Sequence, residues 1–248
     1  PNLVISPANL VNQSQIVAYN LKNSNSIINK LSNEAGLVQE RSLSKIKEKF
    51  LKANPIFKNS YDNQVVLSLG EYKINQTIIV PVNLKLIVEP GAKLIFAAGK
   101  SLVSHSQVFA QGTTDLPIEF ISTDNDKWGV VAVLGHDADG SIFENCVFDN
   151  GFEDYIDNTY LSGMLSVYHA DDVVVKNSIF KNAQADDALN FKYSNSSVYD
   201  SLFEDNSADA IDFDYVSGEI GGNTFINNGN DSIDTSGSTT LVRNNYIK

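Results

Sequence analysis

Two sets of polar residues recur at one interval. Asn190, Asp212 and Asp234 stand 22 residues apart, and Lys192, Asp214 and Ser236 follow two positions after each. Ser166 and Tyr168 open the same two series one repeat earlier, with His169 directly after Tyr168. Carboxylates gathered at a short spacing repel, and the repulsion is relieved by a raised pKa or by a cation. Oxygen ligands of this type suit calcium, so one expected arrangement is a calcium ion bridging Asp212, Asp214 and Asp234. The other is Lys192 serving as the counter-charge. Tyr168, His169 and Lys192 are the groups placed to give or take a proton, while Asn190 and Asp234 could hydrogen-bond a polar substrate. A third row, Asp187, Asp209 and Asp231, keeps the 22-residue interval, each followed by a small residue and then Leu or Ile. We read this row as turn formers rather than ligands.

Such regular spacing requires a repeating scaffold. Phe148, Phe180, Phe203, Phe225 and Tyr246 each lie just before asparagine or close to it, and the last three intervals are 23, 22 and 21 residues. Several marks in phase define a repeat. Each repeat holds three short apolar runs, for example Val198-Tyr199, Leu202-Phe203 and Ile211-Asp212-Phe213. These runs are too short and too rich in β-branched and aromatic residues for helices. Three strands per coil predict an all-β parallel β-helix solenoid of about seven to eight coils, starting at Val65. With Ile211 and Phe213 inward, Asp212 and Asp214 point outward, and the polar files stack about 4.8 Å apart on the third strands. The chain also contains 28 asparagines, a usage that ladders of stacked, hydrogen-bonded amides would explain.

One coil is longer than the rest. From the second-strand aromatic to the third strand the step is 9 residues for Phe180 to Leu189, 8 for Phe203 to Ile211 and 17 for Phe148 to Leu165. The excess makes an inserted loop from Gly151 to Gly163, carrying Phe152, Tyr155 and Tyr160 among Glu153, Asp154 and Asp157. It leaves the coil where the third strand begins and is expected to overhang the polar files. Rings flanked by carboxylates suit sugar recognition, and solenoid insertions commonly lie on the binding face. A decorative loop or an interface patch fits the same residues.

The charge divides the chain near Tyr61. Residues 1–60 hold eight Lys/Arg against three Asp/Glu, and residues 61–248 hold ten against twenty-seven. The first part reads as an arm and helical cap: an amphipathic helix over Ser42–Ala53 with Leu43, Ile46 and Phe50 on one face, a weaker helix over Ser26–Glu34 closed by Gly36, and residues 1–20 as an extended arm or the tail of a preceding domain. The net charge of −12 argues against nucleic acid, which needs a basic footprint. No run approaches the roughly 18 apolar residues of a membrane span. Cys146, the single cysteine, excludes a disulfide within the chain and reads as a buried thiol. His105 and His136 receive no role. A first residue of proline and a single methionine, Met164, suggest a piece of a larger protein with further domains.

Leu86-Ile87-Val88-Glu89-Pro90-Gly91-Ala92 followed by Leu94-Ile95-Phe96 resembles the opening coils of secreted right-handed parallel β-helix proteins. So do Gln111-Gly112-Thr113 leading to Pro117-Ile118-Glu119-Phe120, and Trp128-Gly129-Val130. The resemblance covers about residues 65–248 and is closest to β-helix domains of bacterial surface proteins, such as those appended to CotH-like kinase domains. It implies the right-handed pectin-lyase-like architecture and a place outside the cell or at its surface. That architecture hosts lyases, hydrolases, epimerases and adhesins alike. Of the polygalacturonase-like set, Asp186-Asp187 alone has a counterpart; the Asn-Thr-Asp, Gly-His and basic elements are missing. Calcium pectate lyases add an arginine base, whereas Arg41 and Arg243 stand away from the acidic files. The expected function is a polysaccharide-binding module using the third-strand face. Its catalytic form would be elimination or epimerisation of a uronic-acid polymer, with Tyr168, His169 and Lys192 as acid and base. The alternative is a non-catalytic adhesin or stiff spacer, favoured by the repulsion between a metal-free acidic face and an anionic polymer.

Overall fold

Runs of branched and aromatic residues, each broken by Gly, Asn or Asp, form strands of two to six residues. The computed structural model describes residues 42–61, 63–123 and 126–248. The expected arm and the helix over 26–34 lie outside the described residues. The chain forms two compact units, Pro1–Lys49 and Phe50–Lys248. In the first unit the described residues 42–49 are helical, and helix α1 runs over 42–53, where the apolar spacing predicts it.

The second unit is a parallel β-solenoid of about eight turns. Among its described residues, three sheets stack one strand from each turn. The first sheet runs from Gln64–Leu67 to Thr239–Arg243, the second from Gly70–Ile74 to Tyr246–Ile247, and the third from Ile78–Val80 to Asp234–Ser236. Lys58–Asn59 adds an antiparallel strand at the beginning of the first sheet. There, Phe50 and Phe57 pack 5.2 Å apart and are buried in the same core as the coils. Gln76 Nε2 ties the first turn to the helix end by donating to the Ala53 carbonyl.

The core is one continuous file. In the second sheet Phe120, Phe148, Phe180, Phe203 and Phe225 align, with successive ring centroids 4.6, 4.7, 4.8 and 5.2 Å apart. All five are fully buried, and complete burial of each ring is worth about 1.5–3 kcal/mol. Tyr246 does not continue the file. It pairs with Thr224, and Ile247 pairs with Phe225, so the final interval of 21 is one residue short of the beat.

Asparagine has two structural tasks. At the corner between the first and second strands, Asn145, Asn177, Asp200, Gly222 and Asn244 take left-handed backbone conformations; after the second strand Asn150, Asn182, Asp205 and Asn227 do the same. Asn, Asp and Gly tolerate this conformation best. Elsewhere asparagine bridges coils, as expected from its abundance. Asn223 Nδ2 donates to Val198 O and Asn245 Oδ1, while Asn223 Oδ1 accepts from the Ser201 amide. Serines do the same job in earlier coils: Ser201 Oγ accepts from Ser178 N, and Ser178 Oγ from Cys146 N. Cys146 is buried, as expected, and burial pushes its thiol pKa up.

Candidate functional site

Alternation along the third strands sends Leu189 and Phe191 into the core and Asn190 and Lys192 outward; Ile211 and Phe213 point in, and Asp212 and Asp214 out. The register joins Ser166, Asn190, Asp212 and Asp234 in one outward file and Tyr168, Lys192, Asp214 and Ser236 in the next. Both files are those expected from the spacing. The alternation breaks at the strand starts. Met164-Leu165, Ala188-Leu189 and Ala210-Ile211 are consecutive inward pairs. The break leaves Asp187 on the outer side of its strand. Asp187 and Asp209 are therefore the first residues of paired strands, not turn residues. Asp187 is also buried.

The outer face of this sheet has two halves. In the earlier coils it is apolar and roofed. The inserted residues form an antiparallel hairpin, Asp154–Ile156 against Thr159–Leu161, with Asp157 and Asn158 at the turn, both at positive φ. Two such residues make the tight turn that matches strand twist. Leu161 and Ile156 pack with Val103, Val130, Ala132, Leu134 and Tyr168 in a small apolar cluster outside the main core. Two polar ties set the hairpin root: Ser101 Oγ donates to Asp154 Oδ2 at 2.7 Å, and the Asp186 amide donates to Glu153 Oε2 at 2.9 Å. Lys127 Nζ sits 4.4 Å from the Phe152 ring centre.

In the later coils the face is polar. Asn190 Nδ2 donates to Asp212 Oδ2 at 2.9 Å and to Asp212 O at 3.2 Å. Lys192 Nζ pairs with Asp214 Oδ2 at 2.9 Å and stands 5.5 Å from the Tyr168 ring centre. Burial and then the charges of Asp187, Asp214 and Asp234 push the Asp212 carboxyl up to about 8. Burial raises Asp187 to about 7 despite a hydrogen bond from Ser162. Burial opposes the charge on Lys192, but the Asp214 hydrogen bond and neighbouring negative charges outweigh it and raise its pKa. Tyr160 is pushed up to about 12 by burial and by Glu153, Asp186 and Asp187.

The sequence-derived candidates fall into four places. Asn190, Asp212, Asp234, Lys192 and Asp214 share the polar half. Tyr168 lies beneath the hairpin, 7% exposed, with its hydroxyl engaged by the Ser162 amide and hydroxyl. His169 lies past the strand end, stacked on Tyr193 at 4.9 Å, and Tyr193 stacks on Tyr215 at 5.0 Å. Tyr155 and Tyr160 stack on the hairpin at 4.8 Å, with Tyr155 well exposed. Asp187 was read as a turn former, because strict alternation counted back from Leu189 does not send its side chain outward. The adjacent apolar pair Ala188-Leu189 was the available signal.

His169, Tyr193 and Tyr215 occupy the third corner of successive coils, all at positive φ, followed by Gly237. A Cβ at Gly237 would sit 2.7 Å from the Tyr215 ring. Beside this ladder runs an open groove of about 430 Å³, lined by Asp171, Asn195, Tyr193, Tyr215, Ser217 and Thr239 among others. Two clusters of possible ligand side chains flank the site among the described residues. Ligand atoms of Asp209, Asp231 and Asp234 lie within 4.8 Å of one another, as do those of His136, Asp139 and Asp171. His136 thus has a partner at 3.6 Å, Asp139 Oδ1, which sequence spacing alone did not reveal. No family model matches the chain, and no curated protein matches it.

Proposed function

We propose that this protein is a polysaccharide-binding β-helix module of the pectin-lyase-like class, acting outside the cell or at its surface. The observation that carries this reading is the third corner. The other two corners use Asn, Asp and Gly for the left-handed conformation, whereas three successive coils place His169, Tyr193 and Tyr215 at this one, with Gly135 before them and Gly237 after. A left-handed residue with a full side chain costs about 1–2 kcal/mol, which stacking of about 0.5–1.5 kcal/mol per pair only partly offsets. Strained aromatic residues held in a row beside a groove are a functional signature.

The polar half of the third face completes the surface. At the strand ends it is bordered by the aromatic ladder, and at the strand starts by the Tyr155–Tyr160 hairpin. Asn190, Asp212, Asp214 and Lys192 between them offer donors and acceptors for hydroxyl groups. The pairing of Lys192 with Asp214 leaves this half with a net negative charge, so a neutral glycan is the favoured ligand. A uronic-acid polymer would need a cation between itself and the carboxylates. A lyase or epimerase form would draw on Lys192 and the raised Asp212 carboxyl, with His169 as the further proton-transfer group, since Tyr168 is covered by the hairpin and its hydroxyl is engaged by Ser162.

Affinity electrophoresis of the full chain in gels containing neutral or uronic-acid polysaccharides tests the proposal. Retardation that falls at least tenfold in Tyr193→Ser/Tyr215→Ser, and again in Lys192→Ala/Asp212→Asn, is the expected result. Unsaturated or epimerised product would identify the catalytic form. Equal mobility of wild type and variants in every gel would overturn the reading and leave the adhesin or spacer in its place.

A further inference from the structure

A buried oxygen that receives no hydrogen bond is costly, and native structures contain few of them. Among the described residues three side-chain oxygens are buried without a donor: Asp187 Oδ2, Asn190 Oδ1 and Asp212 Oδ1. They are not scattered. Asp187 and Asn190 lie three residues apart on the outer side of one strand, and Asp212 is the register partner of Asn190 on the next coil. Asn190 is 0% exposed and Asp187 3% exposed.

The direction of the Asn190 amide follows from its neighbours. Its nitrogen faces two acceptors, Asp212 O and Asp212 Oδ2, so a flipped amide would set oxygen against oxygen. Asn190 Oδ1 is therefore held away from them with no proton to accept. Asp212 has one carboxylate oxygen occupied by this amide and the other without a donor. Asp187 keeps a hydrogen bond from Ser162, yet its Oδ2 has none. The cation on this face does not serve them, because Lys192 Nζ is directed to Asp214 Oδ2.

We propose that Asp187 Oδ2, Asn190 Oδ1 and Asp212 Oδ1 are the protein ligands of a divalent cation site of the calcium class. Two carboxylates balance the charge of such an ion, and an amide oxygen is a usual third ligand. The set contains neither thiolate nor imidazole, which disfavours the softer transition metals. Ligands from two coils joined through parallel strands tolerate the irregular geometry of calcium better than the strict octahedron of magnesium. The ion lies one coil earlier than the Asp212, Asp214 and Asp234 arrangement expected from sequence, because Asp214 is engaged by Lys192 and Asp187 is turned outward. Calcium takes six to eight oxygens, so three protein ligands leave positions for water or for a hydroxyl of a bound polymer. The site stands whether or not a polysaccharide binds.

The test is isothermal titration of the full chain, freed of metal by chelator and dialysed at pH 8.5, with calcium chloride and then magnesium chloride. One calcium per chain is expected, bound at least tenfold more tightly than magnesium. Asp187→Asn and Asp212→Asn should each weaken calcium binding a hundredfold or more. Asp231→Asn, in the neighbouring exposed cluster, should change it less than threefold. Loss of binding through misfolding is separated by melting in chelator, where Asp187→Asn should be no less stable than wild type, since it removes a buried charge. Absence of binding up to about 10 mM calcium, above the range of weak extracellular modules, would overturn the site. So would binding kept in Asp187→Asn and lost in Asp231→Asn, or equal responses to calcium and magnesium in every variant.

Discussion

Asp187→Asn should make the metal-free protein more stable at alkaline pH, and only there. The carboxyl titrates at 3.8 as an unperturbed group and at about 7 in the folded chain, with Asp212 beside it at about 8. Between those limits the folded state holds more protons than the unfolded one. The stability from these groups is thus complete below about pH 4 and lost as pH rises through 7 to 8. One pKa unit is about 1.4 kcal/mol, so the shift at Asp187 alone corresponds to on the order of 4 kcal/mol. Asp187 and Asp212 share part of one repulsion, and solvent screens the half-buried Asp212, which brings the expected gain for Asp187→Asn at pH 8.5 to roughly 2–4 kcal/mol. In a unit of this size that is a rise in Tm of roughly 5–12 °C. Melting curves in chelator from pH 4.5 to 9 provide the measurement. Wild type should lose stability across the upper half of the range while the variant stays flatter. A variant that melts below wild type at pH 8.5, or follows the same pH slope, would refute the account of Asp187 as a buried, repelled carboxylate.

Other substitutions probe separate features. Phe180→Ala removes a ring held between Phe148 at 4.7 Å and Phe203 at 4.8 Å, and chemical denaturation should show a loss of about 3–5 kcal/mol. Phe180→Leu should lose less than half as much. Asn223→Ala breaks two donations and leaves the Ser201 amide without its acceptor; about 2–3 kcal/mol should go, with faster amide exchange at Ser201. In Tyr193→Gly the relieved left-handed backbone offsets the lost stacking. Stability should stay within about 1 kcal/mol of wild type while polysaccharide retardation falls, a combination that a merely structural tyrosine would not give.

Much of the solenoid was legible because its coils repeat. The 22-residue beat of Asp212 and Asp234, and the strict alternation at Ile211 and Phe213, were enough to place both outward files in register. The helix over 42–53 was equally clear from Leu43, Ile46 and Phe50. What escaped were local departures from the rule. Two adjacent inward residues, Ala188 and Leu189, turn Asp187 outward, and a period-two count passes over them. The insertion was visible as extra length, but its strands were not. Tyr155-Ile156 and Thr159-Tyr160 around Asp157-Asn158 carry a hairpin pattern that reads as loop when only polarity is weighed. Tyr246 shows how little is needed to lose a column: a single-residue slip puts Ile247 above Phe225 instead. Spacing also could not show that hairpin residues would cover Tyr168, since that contact joins segments whose separation carries no period.

Stacking one strand per turn has a mechanical consequence. Hydrogen bonds in all three sheets run along the axis of the stack, so a pull on the two ends loads them end-on, a few at a time, instead of shearing many together. The phenylalanine file and the Asn223–Asn245 bridge connect each turn to its neighbours only. A turn can therefore peel away while the next keeps its own contacts. Each released turn of about 22 residues would lengthen the chain by roughly 70 Å, the extended length of such a segment less one strand spacing. Under tension the protein would yield in steps, giving way by one coil and holding again, with the longest step at the coil that carries the hairpin, as an extensible tether rather than a rigid post.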